Sequence, residues 1–356
     1  CTAPVLETIN ISGVCAPVDG RGYLMKVFVE NDHLNQTDLM LLSKDIRLKK
    51  SNLVGAMSHA SILSLVESIG IREKKLVRLD ISNMGIGKSG ATSLASSIRN
   101  CFSLKHFDLS NNSIESVGAN AVFQALRRVL TLEELIMNSN NIGDSAAHAL
   151  SSCIQGSQNL RILSLENNLI TNDGGSLVWS AIAMNSESPL VQVNFAANKF
   201  DTAWCMTSTF RSVLCLETVV LARNELNQSS ARVFADAIVS ERWGARRSLT
   251  SLDLGGNLLG AEGASLLGRA LSKSGTLKLL WLDENKLGSR GGLSIMKALD
   301  ENRSLTVLDI SNNMLALDTR RFSLDLCAVK ELAKVLTKNK TLKHLYLKGN
   351  QIGASG

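Results

Sequence analysis

Along residues 248–275 the chain alternates apolar and polar positions and then changes period. Leu249, Leu252 and Leu254 lead to Asn257 and Leu259, glycines follow at 260 and 263, and Leu266, Leu267, Ala270 and Leu271 then recur at helical spacing. This predicts a short strand, a turn and a helix in one unit. The frame returns 28 residues later at Leu277, Leu280, Leu282, Asn285 and Leu287, and again at Leu305, Leu308, Ile310, Asn313 and Leu315. Self-similarity at such a period marks stacked supersecondary units, each burying its apolar face against the next.

With the third apolar position of each strand as a mark, twelve units follow: Ile11, Leu48, Ile81, Leu109, Met137, Leu165, Phe195, Leu221, Leu254, Leu282, Ile310 and Leu347. The first two fit poorly. Residues 1–73 are therefore expected to be an N-terminal cap or degenerate repeats, and 74–356 the repeat domain proper, its last unit truncated. The position three residues beyond the mark holds Asn at 112, 140, 168, 198, 224, 257, 285, 313 and 350. At the end of a short buried strand an Asn amide can satisfy backbone groups of its own turn and of the neighbouring one, which predicts a ladder of side-chain amides. The spacing widens to 33 residues before Leu254 and 37 before Leu347. These insertions, Glu241–Arg247 and Asp318–Asp325, carry arginine pairs near an aromatic and are expected to be edge loops.

The frame L-x-x-L-x-L-x-x-N-x-[IL]-G-x-x-G, followed by an amphipathic helix, resembles the ribonuclease-inhibitor-like subfamily of leucine-rich repeat proteins over nearly the whole chain. The resemblance implies an α/β solenoid, a horseshoe with parallel strands on the concave side and helices on the convex side. Members include ribonuclease inhibitor, the Ran GTPase-activating protein, sensor domains of NOD-like receptors, tropomodulin and axonemal scaffolds. Such a fold fixes architecture and leaves function to the surface.

Strand alternation places that surface. If the second and third apolar positions point inward, the residue between them faces the concave side. From the third unit onward this row reads Asp80, Asp108, Ile136, Ser164, Asn194, Val220, Asp253, Trp281, Asp309, Tyr346. Neighbours in it lie about 4.8 Å apart. Asp253, Trp281, Asp309 and Tyr346, flanked by Asp283, Glu284 and His344, form the candidate partner-binding strip. Exposed Trp and Tyr are the residue types that anchor interfaces. The carboxylates, with Glu134 and Glu166 further along, make this face acidic although the net charge is +6. The surplus positive charge belongs on helices and edge loops, at Arg127–Arg128, Arg246–Arg247, Arg320–Arg321 and the lysines at 334, 338 and 340. Arg47, Lys49, Lys50 and Arg78 make the other end of the face locally basic.

Little else points to chemistry. The string Gly85-Ile86-Gly87-Lys88-Ser89-Gly90 lacks the earlier glycine of a phosphate loop, Ser82 standing there, and it coincides with a repeat turn. The five histidines and seven scattered cysteines have no metal-ligand spacing, and most cysteines are expected to be small buried hydrophobes. No cofactor, metal or catalytic set is expected. Six N-x-S/T triplets occur, at Asn10, Asn35, Asn111, Asn227, Asn302 and Asn339, in a Ser- and Asn-rich chain without a disulfide framework. With no leader segment and no apolar run of membrane-spanning length, a cytoplasmic, intracellular protein is expected, the cytoskeleton among its settings. The chain starts at Cys1 and stops where a helix should begin, as a fragment of a longer protein would. The function expected is a non-enzymatic scaffold binding a protein partner on the concave C-terminal face, with no small-molecule substrate and no nucleic acid. The alternative is a GTPase-activating protein resembling the Ran regulator.

Overall fold

The computed structural model describes residues 9–10, 45–47, 76–185, 189–213, 215–239, 249–318 and 323–353. The chain divides into two compact units, residues 1–169 with 187–189 and residues 170–186 with 190–356. In the first, six strands pair in parallel: β1 (Ile9–Asn10), β2 (Asp45–Arg47), β3 (Arg78–Asp80), β4 (His106–Asp108), β5 (Glu134–Ile136) and β6 (Ile162–Ser164). Helices α1 (Gly87–Ile98), α2 (Glu115–Leu126) and α3 (Ala147–Gly156) follow β3, β4 and β5 in turn. Apart from β1 and β2, the expected N-terminal cap lies outside the described residues.

The second unit opens with α4 (Asn172–Met184) and continues through β7 (Gln192–Asn194), α5 (Thr207–Ser212), β8 (Thr218–Val220), α6 (Ser230–Ile238), β9 (Ser251–Asp253) and α7 (Gly260–Leu271). Then come β10 (Leu279–Trp281), α8 (Gly288–Glu301), β11 (Val307–Asp309), the short β12 (Leu317–Asp318) and β13 (Ser323–Leu324), α9 (Cys327–Lys338) and β14 (His344–Tyr346). β7 to β11 and β14 pair in parallel without a register slip. The second insertion is a small antiparallel pair, Leu317 opposite Leu324 and Asp318 opposite Ser323, of which 319–322 lie outside the described residues. The first insertion, 241–247, lies outside them altogether.

Alternation along each three-residue strand builds the core. Leu252 and Leu254, Leu280 and Leu282, Leu308 and Ile310 are all fully buried, while the residue between each pair is half-buried on the open face. Helices supply the facing stripe: α7 buries Gly263, Ala264, Leu267, Gly268, Ala270 and Leu271, the side its spacing predicted. Where the repeat length departs from 28, between β6 and β9, larger side chains fill the second unit. Trp179 of α4 is fully buried with its ring 5.4 Å from Phe195 and 6.3 Å from Phe210, and Phe195 meets Phe200 edge-on at 6.0 Å.

The asparagine ladder is present in both units. Asn112 Oδ1 accepts from the Met84 and Ile86 N–H groups at 2.9 and 3.2 Å, while its Nδ2 donates to the Ile81 and Leu109 carbonyls at 2.9 Å each. Asn140 repeats this for Asn112 and Ile114, and Asn168 for Asn140 and Ile142. In the second unit Asn313 Oδ1 takes the N–H groups of Asn285 and Leu287, and Asn350 Oδ1 those of Asn313 and Leu315. Each amide joins the turns of two adjacent repeats.

A second, smaller ladder was not foreseen. Asn302 and Asn339, 1% and 7% exposed, donate Nδ2 to carbonyls near and just beyond the C-terminal ends of α7 and α8: Asn302 to Leu271 and Ser274, Asn339 to Leu299 and Asn302. Their Oδ1 atoms accept from Ser304 and Leu305, and from Thr341 and Leu342. Two of the N-x-S/T triplets are therefore helix-end clasps, in which the Ser or Thr N–H closes a turn onto the Asn.

Candidate functional site

The register of β9, β10, β11 and β14 brings Asp253, Trp281, Asp309 and Tyr346 side by side, Asp253 opposite Trp281, Trp281 opposite Asp309, and Asp309 opposite Tyr346. Asp283 and Glu284 follow β10 on the same edge of the face, and His344 opens β14. Exposure grades along the strip. Trp281 and the three aspartates are half-buried, whereas Glu284, His344 and Tyr346 are exposed, Tyr346 at 49%. Tyr346 thus stands open at the end of the row, with Trp281 seated lower between Asp253 and Asp309.

The aspartates have a local role that alternation alone could not show. Asp253 Oδ1 accepts the Gly255 N–H at 3.0 Å and Asp309 Oδ1 the Ser311 N–H at 2.8 Å. Asp80 and Asp108 hold the Ser82 and Ser110 N–H groups in the same way in the first unit. Each closes an Asx turn that bends the chain out of its strand. Asn194, in the same row, does this with an amide oxygen, accepting from Ala196 at 2.9 Å. An uncharged amide oxygen makes the same bond, so the bond does not need a charge.

The charge is held at a cost. Burial pushes the Asp253 carboxyl up from the usual range, and Asp283 and Asp309 push it further, against the Gly255 N–H and the Arg223 guanidinium. Burial likewise raises Asp283, with Asp309 and Glu284 adding to it. The Asp283 carboxylate lies over Gly255, where a β-carbon would strike it. Glu284 adopts a left-handed backbone, φ +53°, at the turn position where Gly256, Asn312 and Gly349 stand in neighbouring repeats. A glutamate is a poor residue for that conformation.

In the first unit the equivalent face is mixed. Glu134 Oε2 lies 2.8 Å from His106 Nδ1 and 3.8 Å from Arg78 Nη1, and the cleft of about 50 Å³ beside them is lined also by Asp80 and Asp108. Asp108 is raised by burial, and the Asp80 and Glu134 charges add to that rise. The positive charge expected at this end is therefore met by Glu134 where Arg78 stands, while the side chains of Arg47, Lys49 and Lys50 lie outside the described residues. In sequence His106 was one of five histidines without ligand-like spacing, and only its register beside Glu134 singles it out.

The remaining motifs resolve as structure. Gly87 opens α1, Asn112 holds the Ile86 N–H, and Lys88 pairs with Glu115 at 3.3 Å, so the Gly-Lys-Ser string is a repeat turn. Among the described cysteines, Cys101 and Cys153 are buried, their thiols pushed up to about 11 and about 12 by burial, Cys205 and Cys215 are partly buried, and Cys327 is exposed. Among the described residues no cluster of three His, Cys, Asp or Glu could hold a metal ion, and no helix is long and apolar enough to cross a membrane.

Strand, asparagine turn and helix, repeated and stacked in parallel, define leucine-rich repeats. A leucine-rich repeat family model matches the chain at residues 100–123, 130–151, 246–268 and 338–356. Comparison with curated proteins finds no match. Among solved structures, leiomodin-1 actin-binding site 2 is 19% identical over 45% of this chain and 86% of that one, with a TM-score of 0.34. An internalin (inlF) from Listeria monocytogenes is 14% identical over 96% of this chain and 86% of that one, with a TM-score of 0.48.

Proposed function

We propose that this chain is a non-enzymatic protein-interaction module whose strand face, from β9 to β14, docks a basic segment of a protein partner. One observation carries the reading: Asp253 and Asp309 stand where Asn194 shows that an uncharged amide closes the same turn, while burial and two neighbouring carboxylates raise the Asp253 carboxyl above its usual range. A Lys or Arg from a partner would relieve that repulsion on docking, so the charge has a use in a complex that it lacks in the free chain. Trp281 and Tyr346 supply apolar contact on either side of Asp309, and His344 and Glu284 border it. The α-helices of the regular 28-residue repeats, 12 residues in α1, α2 and α7, 10 in α3 and 14 in α8, support the ribonuclease-inhibitor-like subtype.

The test is affinity capture from the native source, quantified by mass spectrometry, on wild-type chain and on a Trp281→Ala, Tyr346→Ala variant. A partner lost from the variant alone supports the assignment. If Trp281 is a hot spot, Trp281→Ala by itself weakens that partner by about 2 kcal/mol or more. Unchanged capture by a variant with wild-type thermal stability would exclude the strip.

A further inference from the structure

The helical layer of the second unit carries a groove of opposite character. It runs between α6 and α7, encloses about 530 Å³, and is floored by Ala235, Val239, Leu266 and Ala270. Three cations stand over this floor, Arg232, Arg269 and Lys273, with Asp236 as the one acidic residue of the lining. At three other places in the helical layers a basic side chain meets a carboxylate on a neighbouring helix: Lys88 with Glu115 at 3.3 Å, Arg290 with Glu262 at 3.8 Å, Lys338 with Asp300 at 3.5 Å. The side chains of Arg232, Arg269 and Lys273 have no such partner among the described residues.

Helix electrostatics account for two of the three. Arg269 lies in the last turn of α7 and Lys273 just beyond it, where a cation complements the negative end of the helix. Arg232 does the reverse: it sits in the first turn of α6, at the positive end, where a carboxylate would stabilise the helix and a cation does not. Arg232 lines the groove together with Arg269 and Lys273 from the end of α7.

We propose that this groove is a second docking surface, distinct from the strand face, and that its occupant is an acidic amphipathic segment of a protein. Its apolar side chains lie on the Ala, Val and Leu floor, and its Glu or Asp carboxylates meet Arg232, Arg269 and Lys273. The apolar floor and Asp236 disfavour a polyphosphate backbone, and the lining holds no aromatic on which a base could stack. Confinement between two helices suits a peptide better than a bilayer.

The experiment is fluorescence anisotropy with a labelled peptide of Glu and Leu at helical spacing, about four turns long. The comparisons are the same peptide with Lys for Glu, a labelled oligothymidylate, and phosphatidylserine vesicles. The acidic peptide should bind wild-type chain and lose roughly tenfold in affinity or more on an Arg269→Glu, Lys273→Glu variant, both positions being exposed. It should bind the Trp281→Ala, Tyr346→Ala variant as it binds wild type, which separates this groove from the strand face. Equal affinity for the charge-reversed variant overturns the proposal, as does a Lys peptide that binds equally well. Oligothymidylate or vesicles binding more tightly than the peptide, and released by the same substitutions, would assign the groove to a nucleic acid or a membrane and overturn it equally.

Discussion

A single aspartate serves two purposes here, and substitution can part them. Asp253→Asn keeps the acceptor for the Gly255 N–H and removes the charge that burial, Asp283 and Asp309 oppose. A carboxyl raised in the folded state contributes stability that is fully present below its unfolded pKa and lost as pH rises through the folded one. At neutral pH that contribution is gone, so Asp253→Asn should raise the thermal midpoint there, and the gain should shrink on acidification through the raised Asp253 and Asp283 values. Binding of a basic partner should run the other way, weakening as pH falls through the same values because the carboxylates lose their charge. Ladder residues behave differently. Asn313→Ala removes the acceptor of two buried N–H groups and the donor to the Leu282 and Ser311 carbonyls, and should cost about 3 kcal/mol of unfolding free energy in a denaturant titration. A loss of well under 1 kcal/mol would mean that water replaces the amide.

Among the elements, three-residue strands and stacked helices follow from the leucine frame, and the alternation that buries Leu280 and Leu282 leaves Trp281 between them half-buried, while Ser164 of the same row is buried. The Asx turns were not legible there, because Asp in an alternating strand reads as solvent-facing, and its bond to the residue two further on depends on the bend that follows. The Asn302 and Asn339 clasps escaped for a related reason: an N-x-S/T triplet looks the same whether it meets solvent or a helix end. His106 and Glu134 stand 28 residues apart, a whole repeat, and only strand register joins them. Helix packing adds a constraint that the leucines do not reveal. A β-carbon on Gly268 would come within 2.7 Å of the Ser294 carbonyl oxygen on α8, so this glycine sets the approach of α7 to α8. Gly268→Ala should therefore destabilise the second unit by about 1–3 kcal/mol in spite of alanine's better helix propensity. Stabilisation instead would show that the two helices can move apart freely.

At the scale of the whole molecule, the net charge of +6 conceals a separation of sign within the second unit. Carboxylates gather on the strand face around Trp281, and cations with no carboxylate partner among the described residues gather in the groove between α6 and α7 on the helical layer. Neither grouping is required by the repeats. The Asx turn accepts asparagine, and the first turn of α6 would favour an acid over Arg232. Two surfaces of opposite charge, with Asp253 and Arg232 each set against local preference, fit the proposed module that joins a basic partner to an acidic one. The measurement that bears most directly on this account is parallel capture and thermal unfolding of wild type and an Asp253→Asn, Asp309→Asn variant. The variant should unfold at the same or a higher temperature and yet lose most of the basic partner that wild type retains. A variant that holds the partner as firmly as wild type, at undiminished stability, would show that the charge on this face is not kept for binding.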